Sequence, residues 1–255
     1  QNQVPRLYHS APHEMKLGQH FLMDRDAAMR IADYANLGPE DRVLEIGPGT
    51  GNLTKALADR AGHVYAVEID PDLAAQLSGR FSNVVVINGD ALKVELPHYN
   101  KIVSNLPYQI SSKITRRLLS RPFETAVLMY QWEFARRMIA GVGSEEYGRL
   151  AMVVGFFCRI EILEKVPKTA FRPAPQVDSA VVRLMPRPDR PKVDPAKFMR
   201  LVEGLFNNRR KKVKKGLAAM GADRRALAGQ DAALLERRPE DLTPDEAASL
   251  VGTIS

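Results

Sequence analysis

Between residues 43 and 129 five short apolar runs recur, each separated from the next by a segment long enough for a helix or a loop. They are Val43-Leu44-Glu45-Ile46, Val64-Tyr65-Ala66-Val67-Glu68, Val84-Val85-Val86-Ile87, Lys101-Ile102-Val103-Ser104 and Ala126-Val127-Leu128-Met129. Strands that are apolar on both faces must be covered on both faces, which is the mark of a parallel sheet wrapped by helices. The intervening segments from Asn52 to Ala61, from Pro71 to Phe81 and from Ser111 to Leu119 read as those helices, with Pro71 suited to a first helical turn. The expected fold is therefore α/β, a doubly wound, mostly parallel sheet. Tyr147 to Phe156 reads as a further helix. Ile160 to Val166 and Ser179 to Leu184 read as two last strands, a hairpin around the Pro-rich loop Phe171-Arg172-Pro173-Ala174-Pro175.

The pattern then changes. Pro186 to Pro191 holds three prolines in six residues, as in a stiff linker. Beyond it the chain is rich in Ala, Leu, Arg, Lys and Glu, without a clear strand. Residues 1–186 are expected to form one domain and residues 187–255 a small helical one. At 255 residues, 45% apolar and 26% charged, the chain is large enough to bury a core without staples. Its one cysteine, Cys158, cannot form an internal disulfide and sits in an apolar run, so it reads as a small buried hydrophobe. No apolar stretch reaches the length of a membrane span. Gln1 to His13 has no apolar signal core, and the chain starts without Met, as a trimmed or truncated chain would. A cytoplasmic monomer is expected. The net charge of +7 is compatible with a polyanionic partner. The densest cluster, Arg209-Arg210-Lys211-Lys212-Val213-Lys214-Lys215, has six basic residues in seven. Read as a helix, it would carry charge all around, and RNA phosphate would offset the repulsion.

Glu45-Ile46-Gly47-Pro48-Gly49-Thr50-Gly51 joins a strand to a helix. Its glycines permit a tight turn and close approach to a ligand, but its spacing is not that of a dinucleotide fingerprint. Glu68 ends the second strand, where an acid can accept both hydroxyls of a ribose. Asp90 follows the third, where it can accept from an adenine amine. Alone, Glu68 reads as readily as a helix cap and Asp90 as a turn closure. Together with the glycine loop they point to a ligand at the carboxyl edge of the sheet.

Asn105-Leu106-Pro107-Tyr108 follows the fourth strand at the same edge. The amine of adenine is a poor nucleophile because its lone pair is delocalised into the ring. The Asn105 side-chain oxygen and the Leu106 carbonyl, freed by the rigid and donorless Pro107, can accept both amine hydrogens and aim the lone pair at a sulfonium methyl. Tyr108 offers a face for an extruded base. Asn105 lacks basicity near neutral pH, so its role is polarisation and positioning. A monomethylated amine keeps one hydrogen and still fits, so dimethylation is allowed.

These motifs resemble, in order and over nearly the whole length, those of the KsgA-type ribosomal RNA adenine dimethyltransferases. Lys16 to Leu22 resembles the family's N-terminal motif. Glu45 to Gly51, Glu68, Gly89-Asp90-Ala91 and Asn105 to Tyr108 match successive ones, Phe171 to Ser179 a late one, and Phe206 to Lys211 the basic C-terminal signature. The resemblance implies S-adenosylmethionine held by His20, Leu22, Gly47, Gly49, Gly51, Glu68, Ile69, Asp90, Ala91 and Asn105; no metal is expected. It implies a target adenine between Tyr108 and Phe171, and RNA docking by Arg209, Arg210, Lys211, Lys212, Lys214 and Lys215. The family often has Asn where this chain has His20. His9 and His13 lack a Cys or acidic partner at ligand spacing. The implied partner is the small ribosomal subunit. The implied substrate is two adjacent adenines in a hairpin loop near the 3′ end of its RNA, where bases are already partly unstacked. Two rivals share parts of the pattern. A large-subunit adenine methyltransferase has the same tetrapeptide, and adenine DNA methyltransferases usually begin theirs with Asp. A third rival is a non-catalytic assembly or transcription factor on the same fold.

Overall fold

In the computed structural model, which describes residues 19–254, the five runs become the parallel core of a seven-stranded sheet. In chain order the elements begin β1 (Phe21–Leu22), α1 (Arg25–Tyr34), β2 (Arg42–Ile46), α2 (Asn52–Ala58), β3 (His63–Glu68), α3 (Pro71–Leu77), β4 (Val84–Asn88), β5 (Lys101–Asn105), α4 (Ser111–Leu119), β6 (Thr125–Gln131) and α5 (Trp132–Met138). They continue with α6 (Arg149–Phe157), β7 (Cys158–Val166), β8 (Phe171–Arg172), β9 (Ser179–Pro186), α7 (Pro195–Asn207), α8 (Val213–Ala219), α9 (Arg224–Ala228), α10 (Ala232–Glu236) and α11 (Pro244–Ser249).

The sheet order is β4-β3-β2-β5-β6-β9-β7. β4 through β6 are parallel, and β9 runs antiparallel between β6 and β7. β7 and β9 are the expected hairpin. The loop between them holds β8, which pairs with β1. Local chemistry sets the helix starts. Asp24, Asp70 and Asp194 accept backbone N–H groups at the N-termini of α1, α3 and α7. Pro71 and Pro195 occupy first turns, and Thr243 with Glu246 forms a capping box on α11.

Each face of the sheet has its own core. Ile31, Leu57, Val103, Val127 and Val181 pack under α1 and α2. Leu44, Ile102, Ile114, Leu128 and Phe156 pack on the other face and continue without a break into Phe198, Leu201 and Leu205 of α7. The Phe156 and Phe198 rings stack with centroids 3.9 Å apart. Arg187, in the expected linker, donates to the Gly155 carbonyl and pairs with Asp245 at 2.9 Å. The Pro-rich segment is thus strapped to the sheet layer. Burial pushes the Cys158 thiol up to about 12, as befits a core side chain.

The structure corrects one expectation about the basic segment. Asn208 to Lys211 is a turn, and α8 starts only at Val213, so the charges do not encircle a helix. Arg209 pairs with Glu240, and Lys212 and Lys214 both pair with Glu236. Among the described residues Arg210, Lys211 and Lys215 have no ion-pair partner. Much of the repulsion is therefore offset within the protein. No helix among the described residues is long and apolar enough to cross a membrane.

Candidate active site

The ladder between β2 and β5 covers only Val43–Lys101 and Leu44–Ile102. Beyond it the recorded pairing stops, and the Ser104 hydroxyl, itself buried, accepts the Ile46 N–H at 2.8 Å. This is where the strand order reverses, and in open α/β sheets a ligand crevice lies there. A cavity of about 410 Å³ occupies it. Its lining includes Gln19 to Leu22, Glu45 to Thr50, Glu68 and Ile69, Gly89 to Ala91, and Asn105 to Ile110.

The glycine loop is shaped by close approach. Gly49 has φ +54°, and a Cβ there would lie 2.7 Å from the Phe21 ring. Gly51 is different. It does not line the cavity. At φ +86° it is the residue before α2, and its absent Cβ leaves room for Leu77. Its work is to turn the chain into the helix.

Glu68 joins two rims. Its Oε2 accepts the Gly49 N–H at 3.1 Å and its Oε1 the Asp70 N–H at 2.9 Å. The helix cap is Asp70, not Glu68. Each Glu68 oxygen keeps a lone pair for a further donor. Asp90 Oδ1 takes the Leu92 N–H at 2.8 Å, so it closes the turn and also faces the cavity. Ile69, 65% exposed, stands over the rim as an apolar plate. Leu22 is buried in the lining, and its carbonyl receives Asn52 Nδ2 at 2.7 Å.

At the far wall, Asn105 Nδ2 approaches the His20 carbonyl at 3.5 Å. No backbone N–H of a described residue donates to the Leu106 carbonyl outside the regular ladders, while Pro107 O receives Ile110 N. The His20 ring is fixed by Nδ1 at 2.8 Å from the Pro173 carbonyl and lies 5.8 Å from the Tyr108 ring. The Tyr108 hydroxyl meets Ser179 Oγ at 2.6 Å, and burial raises its pKa. Phe171 does not join this group as an open face. Its ring is 2% exposed, packed in the core beneath α1, and absent from the cavity lining. The two-ring sandwich is not assembled in this conformation.

The motif reading passed over two polar groups. Glu45 is 1% exposed, and burial pushes its carboxyl up to about 8, with the negative charge of Glu68 adding to the rise. Its Oε2 and Gln19 Oε1 are buried in the lining without a hydrogen-bond partner. An acid inside the apolar run Val43–Ile46 was the available signal. Polar groups left unpaired in a cavity favour a ligand that brings partners for them, a donor for the Gln19 oxygen and either a donor or an acceptor for the protonated Glu45 carboxyl. Among the described residues no group of three or more His, Cys, Asp and Glu is placed to hold a metal ion. His9, His13 and Lys16 to Gly18 lie outside the described residues.

Solved structures share this architecture. A dimethyladenosine transferase from Plasmodium falciparum superposes with TM-score 0.79 at 30% identity, over 90% of this chain and 95% of that one. The 23S rRNA methyltransferase ErmE superposes with TM-score 0.64 at 34% identity, over 92% and 99%. Sheet order, glycine loop and carboxyl-edge cavity make this chain a Rossmann-like methyltransferase. The family model for ribosomal RNA adenine dimethylase matches residues 12–251, and the chain belongs to that family. A probable ribosomal RNA small subunit methyltransferase A from Methanosarcina mazei is 46% identical over 246 residues, 92% of this chain and 91% of the relative.

Proposed function

We propose that this chain transfers methyl groups from S-adenosylmethionine to the exocyclic amines of two adjacent adenines in a 3′-terminal hairpin loop of small-subunit ribosomal RNA. Each amine is carried to the dimethyl state. The observation that carries this reading is one cavity bounded by Glu68 and Asp90 on one wall and by Asn105 to Tyr108 on the other.

The residues present suit that cofactor. Glu68 and Asp90 suit ribose hydroxyls and an adenine amine, and Ile69, Ala91 and Leu22 give apolar walls. Gly47 and Gly49 let the backbone come close, and His20 and Asn105 close the far end. The unpaired Gln19 oxygen can receive a donor, and the protonated Glu45 carboxyl can also give one. When bound, the cofactor supplies an electrophilic methyl. The chain's own part is to orient and polarise the nucleophile. The Asn105 side-chain oxygen and the Leu106 carbonyl accept the amine hydrogens, Pro107 keeps that carbonyl in place, and Tyr108 offers the base a face. The proton lost after nitrogen attack passes to solvent. Phe171 is the proposed second face, and to serve it must turn out of the core.

Residues 1–186 carry the chemistry in this account, and residues 187–255 dock RNA. Arg210, Lys211 and Lys215 are the cations best placed to meet phosphate, because Arg209, Lys212 and Lys214 are already paired. The protein is proposed to act as a cytoplasmic monomer on the small subunit, with a role in its biogenesis. The 23S methyltransferase likeness gives a second reading, large-subunit RNA. Labelled S-adenosylmethionine offered with isolated small subunits and with large-subunit RNA separates them. Label in the small subunit alone supports the proposal, and label in the large-subunit RNA alone overturns the substrate.

A further inference from the structure

The chain leaves the candidate active site along a helix that carries positive charge and no negative charge. From Leu96 to Phe123 it holds Lys101, Lys113, Arg116, Arg117 and Arg121, and neither Asp nor Glu. Three of these cations work inside the fold. Lys101 pairs with Asp41 at 3.0 Å, Arg117 donates to the Ala91 and Val94 carbonyls, and Arg121 donates to the Leu96 carbonyl. Lys113 and Arg116 remain. Both are exposed and, three residues apart on α4, they share its outer face, while Ile114 and Leu118 are buried on the other.

Their position ties them to the cavity. Tyr108, Gln109 and Ile110 line it, and α4 starts at the next residue. Lys113 stands in the first turn of α4, which holds no acid, and among the described residues it is in no ion pair. A cation there opposes the helix dipole, so the free chain does not favour it. Arg116 reaches Glu203 of α7 at 3.8 Å, and Arg149, the first residue of α6, reaches the other oxygen of the same carboxylate at 3.5 Å. One carboxylate between two guanidiniums leaves a positive charge over. All three side chains are nearly half exposed, and ion pairs of that kind are weak.

The same face continues to the basic turn after α7. Arg209 donates to the Glu145 carbonyl at 3.2 Å, four residues before Arg149. Glu146 is held by Arg136 at 2.9 Å and Glu240 by Arg209, while Glu145 stays exposed among them. Cations thus run from Lys113 over Arg116 and Arg149 to Arg210 and Lys211, and they outnumber the acids beside them. A line of Lys and Arg that begins next to a site for a base fits a nucleic-acid backbone.

We propose that the outer face of α4, together with Arg149, is a phosphate track that carries the RNA strand from the Tyr108 end of the cavity to the Arg210–Lys211 turn. It places part of the RNA-docking surface on the methyl-transferring domain. The proposal rests on the RNA-methylating reading above.

The test uses the full chain, S-adenosylmethionine and isolated small subunits. Lys113→Gln with Arg116→Gln is expected to raise KM for the subunits about tenfold and to lower the salt slope of subunit binding by about two, one for each phosphate no longer met. The kcat and the calorimetric cofactor affinity should not move. Glu203→Gln frees both guanidiniums, so it should lower KM by about threefold, an effect opposite to that of losing a structural ion pair. Lys55→Gln with Arg159→Gln removes the same charge from other parts of the surface and should stay within about twofold of the parent. If the double variant at Lys113 and Arg116 does not bind the cofactor it has lost its fold, and Lys113→Gln alone, with a slope change of about one, carries the test. Unchanged KM and salt slope in that variant overturn the track and leave the enzymatic reading intact. A loss seen with whole subunits and absent with protein-free small-subunit RNA assigns the face to a ribosomal protein and also overturns it. A parent chain that methylates no ribosomal RNA overturns both the track and the reading beneath it.

Discussion

The hydroxyl of Tyr108 lies 2.6 Å from Oγ of Ser179, a side chain with no solvent exposure. One residue follows Pro107 in the Asn105–Tyr108 tetrapeptide and the other opens β9, the antiparallel strand beside β6. The bond fixes the tyrosine ring by its edge, so that its face is presented and not its hydroxyl. Removing either partner leaves the other polar group without this bond in a part-buried site.

Ser179→Ala and Tyr108→Phe should each destabilise the fold by about 1–3 kcal/mol, the cost of orphaning a buried polar group. The double variant should cost less than the sum of the two. Urea denaturation of the four proteins checks this. Strict additivity would show that the bond carries no coupling.

Glu45 predicts a pH dependence of stability. Its carboxyl moves from the ordinary 4.5 up to about 8 on folding. Between those values the folded chain holds a proton that the unfolded chain has released. Stability therefore falls as pH rises across that window, by at most about 1.4 kcal/mol per unit, and levels off above it. Glu45→Gln should flatten the slope. A parent and a variant with the same pH profile would contradict it.

The two glycines of the loop should separate in function. Alanine at Gly49 or Gly51 forces a left-handed backbone on a residue with a Cβ, worth about 1–2 kcal/mol of stability in each case. Only Gly49→Ala also pushes Phe21 about the cavity, so only it should weaken S-adenosylmethionine binding. Calorimetric titration of the two folded variants distinguishes them, and equal affinities would remove Gly49 from the site.

Most of this layout is legible in the residues themselves. Both-face-apolar runs such as Val43–Ile46 imply the parallel sheet, because burial on two sides leaves no polar alternation. Glu68, Asp90 and Asn105 can be placed at one rim because each follows a strand. Other features depend on neighbours distant in sequence. The two-residue β1 has no periodicity of its own and exists by pairing with β8. Phe171 is a surface ring in the motif and a core ring in the fold. The charge run from Arg209 to Lys215 reads as uncompensated because Glu236 and Glu240 lie more than twenty residues on. Ser179 becomes a neighbour of the site only through the β6–β9 register.

The free and paired cations should also behave differently. Neutralising Arg210, Lys211 and Lys215 together should weaken small-subunit binding and reduce its salt slope by about one for each phosphate no longer neutralised. Cofactor affinity should stay as it was. Arg209→Ala should act mainly by breaking the Glu240 pair. Unaltered subunit binding by the triple variant across several salt concentrations would reject the docking role.

The central claim is that the Asn105–Tyr108 rim methylates adenine at its amine. Mass spectrometry of small-subunit RNA, after incubation of the subunits with the protein and S-adenosylmethionine, tests it most directly. The expected result is N6,N6-dimethyladenosine at two adjacent hairpin-loop positions, and none with Asn105→Ala. Unmodified loop adenines, or a methyl group on a ring nitrogen instead of the amine, would contradict it.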